Sequence, residues 1–514
     1  MTDAAAGPHT IGRWLADSAV SAPSRVAVDD RGVRTDYRTL AHRVTVLAER
    51  LTDAGYGAGQ RVATISGNST DHVVAFFACA RLGIAFAPLS WRLTPAELAD
   101  LLVRTEPALV LIEDEHAALA AAAREIVAAP LVHAALGASG VEMQVPPAAV
   151  PTPRRAARDD DPLLIIYTSG SEAAPKGVVL THENCFWNNL ALDRAMPLGA
   201  GDTVLAMLPQ YHVAAWNVQP LQAWWRGATV VLERGFDPGR VLQLIDERGV
   251  TAMMGVPTQY RMLQQHPLWR TARLQTLHRI VVGGATIPAD LVETWAARDL
   301  AFTQGYGLTE AGPNVLHLPA DMVAEHPGSV GRPYPGVDVR VADPDTGLEL
   351  EGSATGELWV RGRSIFAGYL DDPSATARAM HGEWLRTGDL VCRDGDGIFR
   401  VVDRLKDIYV SGGENVAPAE VERAFTAHPL VATCAVVGVP DPVWGERGVA
   451  FVVATRPVSA EELRAFAAER LARFKLPARI EFVTELPRST IEKVSRAQLR
   501  RMALTLEEHH DAAH

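Results

Sequence analysis

The sequence between residues 60 and 330 repeats one pattern: a short apolar run, a loop, and a stretch with helical periodicity. The clearest apolar runs read RVATIS, PLLIIYT, DTVLAML, ATVVLE, VTAMMGVP, HRIVVGG and AFTQGYG. Stretches such as NCFWNNLALDRAM and DPGRVLQLIDERG lie between them. Near-continuous apolar strands that alternate with helices are typical of sheets buried on both faces. This pattern predicts an α/β fold.

The length and the later pattern predict two domains. A chain of 514 residues is too long for one hydrophobic core. From about residue 336 to 402 the chain is β-rich with Gly and Asp turns, and beyond Asp403 it has the pattern of a compact α+β unit. We expect a large N-terminal domain over 1–402, with α/β layers and a β-rich subdomain, and a small α+β C-terminal domain over 403–514.

Composition limits the class of protein and its partners. The formal charge of −12 argues against a protein that coats nucleic acid or an anionic membrane. No uninterrupted apolar run reaches the ~18–20 residues that span a bilayer, and the first residues lack the order of a signal peptide. The four cysteines have no metal-ligand spacing. We therefore expect a cytoplasmic enzyme with reduced thiols, no nucleic-acid partner and no membrane span, present as a monomer or homodimer.

The loop YTSGSEAAPKG, residues 167–177, follows one of the apolar strands. Its backbone N–H groups, its hydroxyls and the Lys176 ammonium can surround phosphate oxygens. It does not match the G-x-x-x-x-G-K-[ST] phosphate loop, because Pro175 precedes Lys176. On these residues alone, a phosphate loop and an ordinary polar connection both remain open.

Further motifs stand downstream of this loop in a fixed order. PQYHVAAW occupies 209–216, QGYGLTEAG 304–312, LRTGDL 385–390, DRLKDIYVSGGENVAPAEVE 403–422 and LPRSTIEKVSR 486–496. In this order the chain resembles the acyl-adenylate-forming superfamily of acyl-CoA synthetases, aryl-CoA ligases, luciferases and peptide-synthetase adenylation domains. The resemblance covers nearly the whole chain. It implies ATP-dependent activation of a carboxylic acid to an acyl-AMP with pyrophosphate release, followed by thioester formation.

The resemblance implies a nucleotide site in the large domain. Glu310 matches the Mg²⁺ ligand, and a hard carboxylate suits that cation. Thr309 would bind the α-phosphate, and Tyr306 offers a flat ring to adenine. The other matching residues belong to the phosphate loop and the adenine-lining segments: Thr168, Ser169, Gly170, Ser171, Lys176, Gly283, Gly284, Ala285 and Gly305.

The same resemblance assigns roles near and beyond residue 389. Asp389 would accept hydrogen bonds from the ribose hydroxyls, and Arg404 would contact the ribose or phosphates. Lys406 matches the hinge about which the C-terminal domain swings, and Gly412 and Gly413 would approach the pantetheine arm. Lys493 matches the adenylation lysine, whose ammonium bridges the acid and the α-phosphate.

Three positions depart from the family pattern. Glu492 stands where Gly usually precedes the adenylation lysine, and Glu172 and Ala173 replace the usual Thr and Gly at the tip of the phosphate loop.

Residues matching the acyl pocket indicate an apolar acid. Amino-acid-activating relatives carry Asp where this chain has His212, so an α-amino acid substrate is disfavoured. Trp216, Val256 and Gly307 match pocket-wall positions and are apolar or small. We expect a fatty or aryl acid, with ATP, Mg²⁺ and CoA as cosubstrates and cofactor. An enzyme that loads a separate acyl carrier protein is the alternative, and a non-catalytic nucleotide- or acyl-binding relative is a third hypothesis.

The carboxylate at the loop tip generates a prediction. At ~4 Å and an effective dielectric of ~20, Glu172 facing a phosphate charge would cost about 4 kcal/mol. We therefore expect Glu172 to face solvent or a nearby cation, and Glu172→Thr to leave the KM for ATP nearly unchanged in steady-state kinetics. A large improvement in KM would show that the carboxylate faces the nucleotide.

Overall fold

The computed structural model describes residues 7–137, 144–168, 175–411, 414–441, 444–488 and 494–511. The chain divides into two compact units, one of Met1–Val339 with Trp359–Arg386 and one of Arg340–Leu358 with Thr387–His514. The domain boundary between residues 402 and 403 stays a prediction.

Helices and strands alternate through the first unit and give way to a more β-rich order afterwards. The α-helices span Trp14–Ser21, Tyr37–Asp53, Thr70–Leu82, Pro95–Thr105, Ala117–Ile126, His182–Ala195, Ala214–Asn217, Pro220–Arg226, Pro238–Arg248, Pro257–Gln265, Ala289–Ala296, Pro373–Ala379, Pro418–Thr426, Ala460–Ala468 and Arg496–Asp511.

The strands are β1 (Val26–Asp30), β2 (Val33–Asp36), β3 (Arg61–Ile65), β4 (Ala85–Leu89), β5 (Leu109–Glu113), β6 (His133–Leu136), β7 (Pro162–Thr168), β8 (Lys176–Thr181), β9 (Thr203–Ala206), β10 (Thr229–Leu232), β11 (Ala252–Gly255), β12 (Arg279–Val282), β13 (Phe302–Tyr306), β14 (Leu316–Leu318), β15 (Arg332–Pro333), β16 (Asp338–Ala342), β17 (Ala354–Arg361), β18 (Gly368–Tyr369), β19 (Met380–His381), β20 (Trp384–Arg393), β21 (Phe399–Arg404), β22 (Tyr409–Ser411), β23 (Glu414–Val416), β24 (Val431–Asp441), β25 (Gly445–Ala454) and β26 (Arg479–Phe482).

Local chemistry explains where several helices of the first unit begin. Ser69 accepts a hydrogen bond from the backbone N–H of His72, and Asp237 accepts one from Arg240. Thr94 forms a reciprocal capping box with Glu97. Each cap satisfies a backbone donor that the first helical turn leaves without a partner.

Two sheets form the first unit. One has nine strands in the order β15-β14-β13-β12-β11-β9-β10-β1-β2, and the other has seven in the order β18-β8-β7-β4-β3-β5-β6. Every apolar run named above contains one of these strands. The α/β fold class is confirmed.

The parallel strands β9, β11, β12 and β13 decide where the site can lie. They pair in register, β11 with β9 and β12, and β12 with β13. The loops that follow them therefore emerge at one edge, the carboxyl edge, where open α/β sheets bind ligands. A buried cluster that includes Leu205, Met253, Ile280 and Phe302 packs these strands against their helices.

The second unit has a smaller α+β core. Its sheet runs β23-β22-β25-β24, with β26 beside β25. The helix Pro418–Thr426 packs on one buried cluster with Val436 and Val452, and a second cluster contains Val437 and Leu499. The small α+β unit expected near the C-terminus is therefore present.

A further sheet follows the order β16-β17-β20-β19, with β21 beside β20. The chain passes from one unit to the other within β16, β17 and β20. This sheet corresponds to the β-rich segment expected between residues 336 and 402.

The expectations about the cysteines and about membrane spans can be compared with the described residues. Cys79, Cys185, Cys392 and Cys434 are free thiols, and all but Cys392 are buried. Within the described ranges, every helix is too short or too polar to cross a lipid bilayer.

Candidate active site

The loop that carries His212 follows β9 and is held mainly through Gln210. The backbone N–H of Gln210 donates to Asn68 Oδ1 at 3.0 Å, and its carbonyl accepts from Trp216 Nε1 at 2.6 Å. Its side-chain Oε1 lies 2.8 Å from His72 Nδ1. Three contacts on one residue fix the path of the loop two positions before His212.

His72 is a fully buried neutral imidazole. Burial lowers its pKa to about 4. Because an amide oxygen only accepts, Nδ1 carries the proton and donates to Gln210, and Nε2 accepts from the Thr64 hydroxyl at 2.8 Å. His72 is thus a structural partner of the loop, one that motif reading missed.

His212 itself is half-buried. Its ring centroid lies 4.5 Å from that of Tyr211, at an interplanar angle of 62°. The backbone N–H of His212 donates to Pro209, which closes a tight turn. This turn lies in the segment that follows the carboxyl end of β9.

Trp216 lies in the interior of the first unit. Its side chain is fully buried, stacked on Phe76 at 4.4 Å and edge-on to His72 and Phe86. These contacts account for its conformation, and its role as a pocket wall stays a prediction.

Four further predicted residues meet at the ends of β11, β12 and β13. Gly283 donates its backbone N–H to Gly255 at 3.1 Å, and Val256 follows directly. A Cβ added to Gly284 would lie 3.6 Å from Val256 Cγ1, and one on Gly283 would lie 3.9 Å from the Gly305 carbonyl. A Cβ on Gly283 would also lie 2.8 Å from Met254 Cε, so this part of the carboxyl edge is closely packed at Gly283 and exposed at Gly284.

Gln304 fixes this glycine-lined edge and is another residue that motif reading missed. Its Oε1 accepts from the Ile287 N–H at 2.9 Å, and its Nε2 lies 3.0–3.2 Å from the carbonyls of Val282, Ala285 and Gly305. The buried amide joins the segment after β12 to β13.

Tyr306 and Gly307 begin the YGLTE segment. The Tyr306 carbonyl accepts from the Val315 N–H at 3.1 Å. A Cβ on Gly307 would lie 1.4 Å from the Pro313 carbonyl oxygen, so only glycine fits there without backbone movement. Gly307, which the sequence predicts as a small residue of the acyl pocket, is therefore also required by the close packing of the backbone.

Glu310 lies in the short 3₁₀ turn Thr309–Ala311. Its carbonyl accepts from the Phe366 N–H at 2.9 Å. Its Oε1 accepts from the Tyr369 hydroxyl, also at 2.9 Å. Hydrogen bonds therefore hold both the backbone of Glu310 and its carboxylate, which the sequence predicts to be a metal ligand.

Thr168 and Lys176 are directly opposite one another where the β7–β8 hairpin opens into its connecting loop. Lys176 Nζ lies 5.3 Å from the centroid of the Tyr369 ring. Lys176 and Glu310 thus contact the same tyrosine.

Asp389, Arg404 and Lys406 lie in the second unit. Asp389 and Arg404 face each other across β20 and β21, and Arg404 Nε lies 2.5 Å from Asp389 Oδ1. Asp389 is buried, and its backbone N–H donates to Thr387 Oγ1. Burial lowers the pKa of the Lys406 ammonium, and the charge of nearby Asp407 opposes that shift.

Nine of the residues predicted or discussed from the sequence lie outside the described ranges: Ser169, Gly170, Ser171, Glu172, Ala173, Gly412, Gly413, Glu492 and Lys493. Their assignments stay predictions.

Comparison with protein-family models decides the family. The model of the AMP-binding enzyme matches residues 15–370, and that of the AMP-binding enzyme C-terminal domain matches residues 420–493. The chain belongs to the AMP-binding enzyme family. The resemblance drawn from the ordered motifs is confirmed.

Three proteins similar to this AMP-binding enzyme are acid–thiol ligases by name. A feruloyl-CoA synthase of Amycolatopsis sp is 39% identical over 96% of this chain and 98% of its own. A fatty acid–[acyl-carrier-protein] ligase, ScoC of Streptomyces coeruleorubidus, is 36% identical over 93% of each chain. Among solved structures, the o-succinylbenzoate CoA synthetase MenE of Bacillus subtilis, in complex with ATP and a magnesium ion, superposes with a TM-score of 0.85. It is 28% identical, and the match covers 95% of this chain and 99% of that one.

In this AMP-binding enzyme a buried amide joins the His212 segment to the YGLTE segment. Asn217 Nδ2 donates to the Gly312 carbonyl at 2.7 Å, and Asn217 Oδ1 accepts from Asn189 Nδ2 at 3.1 Å. Asn217 ends the helix that follows His212, and Gly312 lies two residues after Glu310. The Asn217 side chain therefore links the two motifs directly.

Asn188 reinforces this link from the helix His182–Ala195. Its Nδ2 donates to the Asn217 carbonyl at 2.9 Å, and its Oδ1 accepts from the Asn314 N–H at 3.1 Å. Asn188, Asn189 and Asn217 are fully buried. The side-chain nitrogen and oxygen of Asn188 and of Asn217 all form hydrogen bonds, and a buried amide network satisfied in this way rigidifies a site.

Asn217→Ala is expected to lower the free energy of unfolding by roughly 1–3 kcal/mol, because it removes the hydrogen bond to the buried Gly312 carbonyl and the one from Asn189 Nδ2. The catalytic constant should fall with it. Urea denaturation followed by tryptophan fluorescence, together with steady-state kinetics, measures both effects.

Asn189→Ala is the matched control, since it removes the amide on the far side of Asn217 and keeps the bond to Gly312. It should lose stability but retain most of the catalytic constant. Equal catalytic losses in both variants would show that the bond to Gly312 does not set the motif spacing.

Proposed function

We propose that this chain is an AMP-forming acid–thiol ligase that activates an apolar carboxylic acid as an acyl adenylate and transfers the acyl group to CoA. One observation carries the proposal: Glu310, Lys176 and the glycine-lined ends of β12 and β13 occur together in one unit of an AMP-binding enzyme. They supply a carboxylate, an ammonium and accessible backbone for a nucleotide.

Residues of the first unit bind and orient ATP. Backbone at Gly283, Gly284 and Gly305 lets the flat adenine approach closely, and Tyr306 offers its ring for stacking. Thr309 donates its hydroxyl to the α-phosphate, and Lys176 neutralises phosphate charge. Holding the α-phosphate in line with the acid converts a bimolecular encounter into an intramolecular step.

Asp389 binds the ribose hydroxyls while it remains paired with Arg404. A carboxylate has about four acceptor sites, so the contact between Arg404 Nε and Asp389 Oδ1 at 2.5 Å is compatible with hydrogen bonds from the diol to the same carboxylate. The ion pair with Arg404 restricts the rotation of the carboxylate.

The donor chemistry around Glu310 fits a magnesium ion. Its carboxylate is a hard oxygen ligand of the kind that Mg²⁺ prefers, and only one of its oxygens is engaged by Tyr369 in the described contacts. When bound, Mg²⁺ supplies neutralisation of phosphate charge. Glu310 provides the fixed negative charge that places the cation.

Lys493 bridges the carboxylate of the acid and the α-phosphate during adenylation. The acid oxygen bonds to the α-phosphorus as the bond from that phosphorus to the bridging oxygen breaks, and pyrophosphate leaves. An ammonium beside both groups stabilises the charge as it moves. In the second step the thiol sulfur bonds to the acyl carbon and AMP leaves.

An aryl acid is the substrate class best supported. The feruloyl-CoA synthase named above is 39% identical over nearly the full length of both chains. His212 cannot supply the fixed negative charge that an α-ammonium group requires, which disfavours amino acids. A fatty acid is the second class, supported by the relative that acts on fatty acids.

CoA is the proposed acceptor, and a carrier protein is the alternative. The same fatty acid–[acyl-carrier-protein] ligase, at 36% identity, supports that alternative. Both acceptors present a phosphopantetheine arm, for which Gly412 and Gly413 would leave room.

Thioester formation with a panel of acids tests the proposal. The protein is incubated with ATP, Mg²⁺ and aryl, fatty or amino acids, and with either CoA or a pantetheinylated carrier. Pyrophosphate release and the thioester mass are recorded. We expect aryl acids to give the highest rates with CoA, amino acids to give none, and Lys493→Ala to lower pyrophosphate release by at least about 100-fold.

The outcomes separate the alternatives. Formation of the thioester on the carrier but not on CoA would show that the acceptor is a carrier protein. It would leave the proposed adenylation step unchanged. Absence of acid-dependent pyrophosphate release with every acid would favour a non-catalytic ligand-binding protein. Unchanged pyrophosphate exchange in Lys493→Ala would refute the role of that lysine.

A further inference from the structure

Tyr369 lies in the short strand β18, which pairs antiparallel with β8. The Ala367 N–H donates to Val179 at 2.9 Å, and the Leu370 N–H donates to Gly177 at 2.7 Å. Gly177 directly follows Lys176, the first residue of β8. The backbone around Tyr369 is therefore fixed to the strand that begins with the phosphate-loop lysine.

The side chain of Tyr369 contacts two charged groups through different atoms. Its hydroxyl donates to Glu310 Oε1 at 2.9 Å, and its ring lies 5.3 Å from Lys176 Nζ. The first contact is a hydrogen bond to an anion, and the second is within the range of a cation–π interaction. The hydroxyl and the ring can therefore be altered separately.

Phe366 supports the same arrangement. Its backbone N–H donates to the Glu310 carbonyl, and its ring meets the Tyr369 ring at 4.9 Å and 74°. The Tyr369 N–H donates to Thr376 Oγ1 at 2.9 Å. The segment 366–369 thus holds the backbone of Glu310, its carboxylate and the tyrosine that contacts it.

We propose that Tyr369 is a positioning residue for the nucleotide site, whose hydroxyl orients the Glu310 carboxylate toward a divalent cation and whose ring holds the Lys176 ammonium. The proposal rests on the proposed function for the roles of Glu310 and Lys176. A donor on Oε1 restricts the carboxylate rotamer and directs Oε2 to the cation. The ring holds the lysine without competing for its hydrogen-bonding protons.

Binding measurements separate the hydroxyl from the ring. Manganese ion is titrated into the protein saturated with a non-hydrolysable ATP analogue, and binding of the analogue is measured by calorimetry with chelator present. Tyr369→Phe should weaken manganese binding about tenfold, as loss of a group that orients a metal ligand does, and should leave metal-free nucleotide binding unchanged. Tyr369→Leu should weaken both.

Two controls make the result specific. Tyr37→Phe removes a buried hydroxyl that donates to the Ala228 carbonyl at 2.6 Å and should leave manganese binding unchanged. If Tyr369→Leu does not melt cooperatively, Tyr369→Met removes the ring in its place. Metal-free binding should fall in Tyr369→Met, and adding Tyr369→Met to Lys176→Met should cause no further fall, because the lysine that the ring holds is then absent.

Unchanged manganese affinity in Tyr369→Phe, with Glu310→Gln strongly weakened, would overturn the role of the hydroxyl. Unchanged affinity in both variants would refute Glu310 as the metal ligand, and with it that part of the proposed function. Weakened metal-free binding in Tyr369→Phe would overturn the division of roles between hydroxyl and ring.

Discussion

Parallel pairing of β9, β11, β12 and β13 is the constraint on which the site of the first unit depends. Parallel strands in register end at the same edge, so each loop that follows one of them emerges beside the next. His212, Val256 and Gly283 reach that edge from separate parts of the sequence. The apolar strands need burial on both faces, which leaves their ends as the places for polar chemistry.

Contacts between segments that are distant in the sequence then fix the positions of the residues at this edge. Asn217 and Gly312 are 95 residues apart in the sequence, and Tyr369 and Glu310 are 59 apart. In each pair a neutral side chain donates to a group of the QGYGLTEAG segment, residues 304–312. Fixed donors of this kind need no reorganisation when charge develops on a substrate, which is how preorganised sites lower a barrier.

The fold class and the positions of the strands could be predicted from the sequence because hydrophobic periodicity is a local property. Motif order also led to the right family. Gln304, Asn217 and Tyr369 could not be found in this way, since their importance comes from partners that only the folded chain brings near. Trp216 illustrates the same limit: its apolar character is evident in the sequence, whereas its stacking on Phe76 is not.

Transfer of an oxygen isotope tests the central claim, an acyl-adenylate intermediate, most directly. The preferred acid is labelled with ¹⁸O in both carboxyl oxygens, and the products of thioester formation are analysed by mass spectrometry. Attack of the carboxylate on the α-phosphate followed by thiolysis leaves one labelled oxygen in AMP and one in the thioester. Label in inorganic phosphate or pyrophosphate, with none in AMP, would contradict the account.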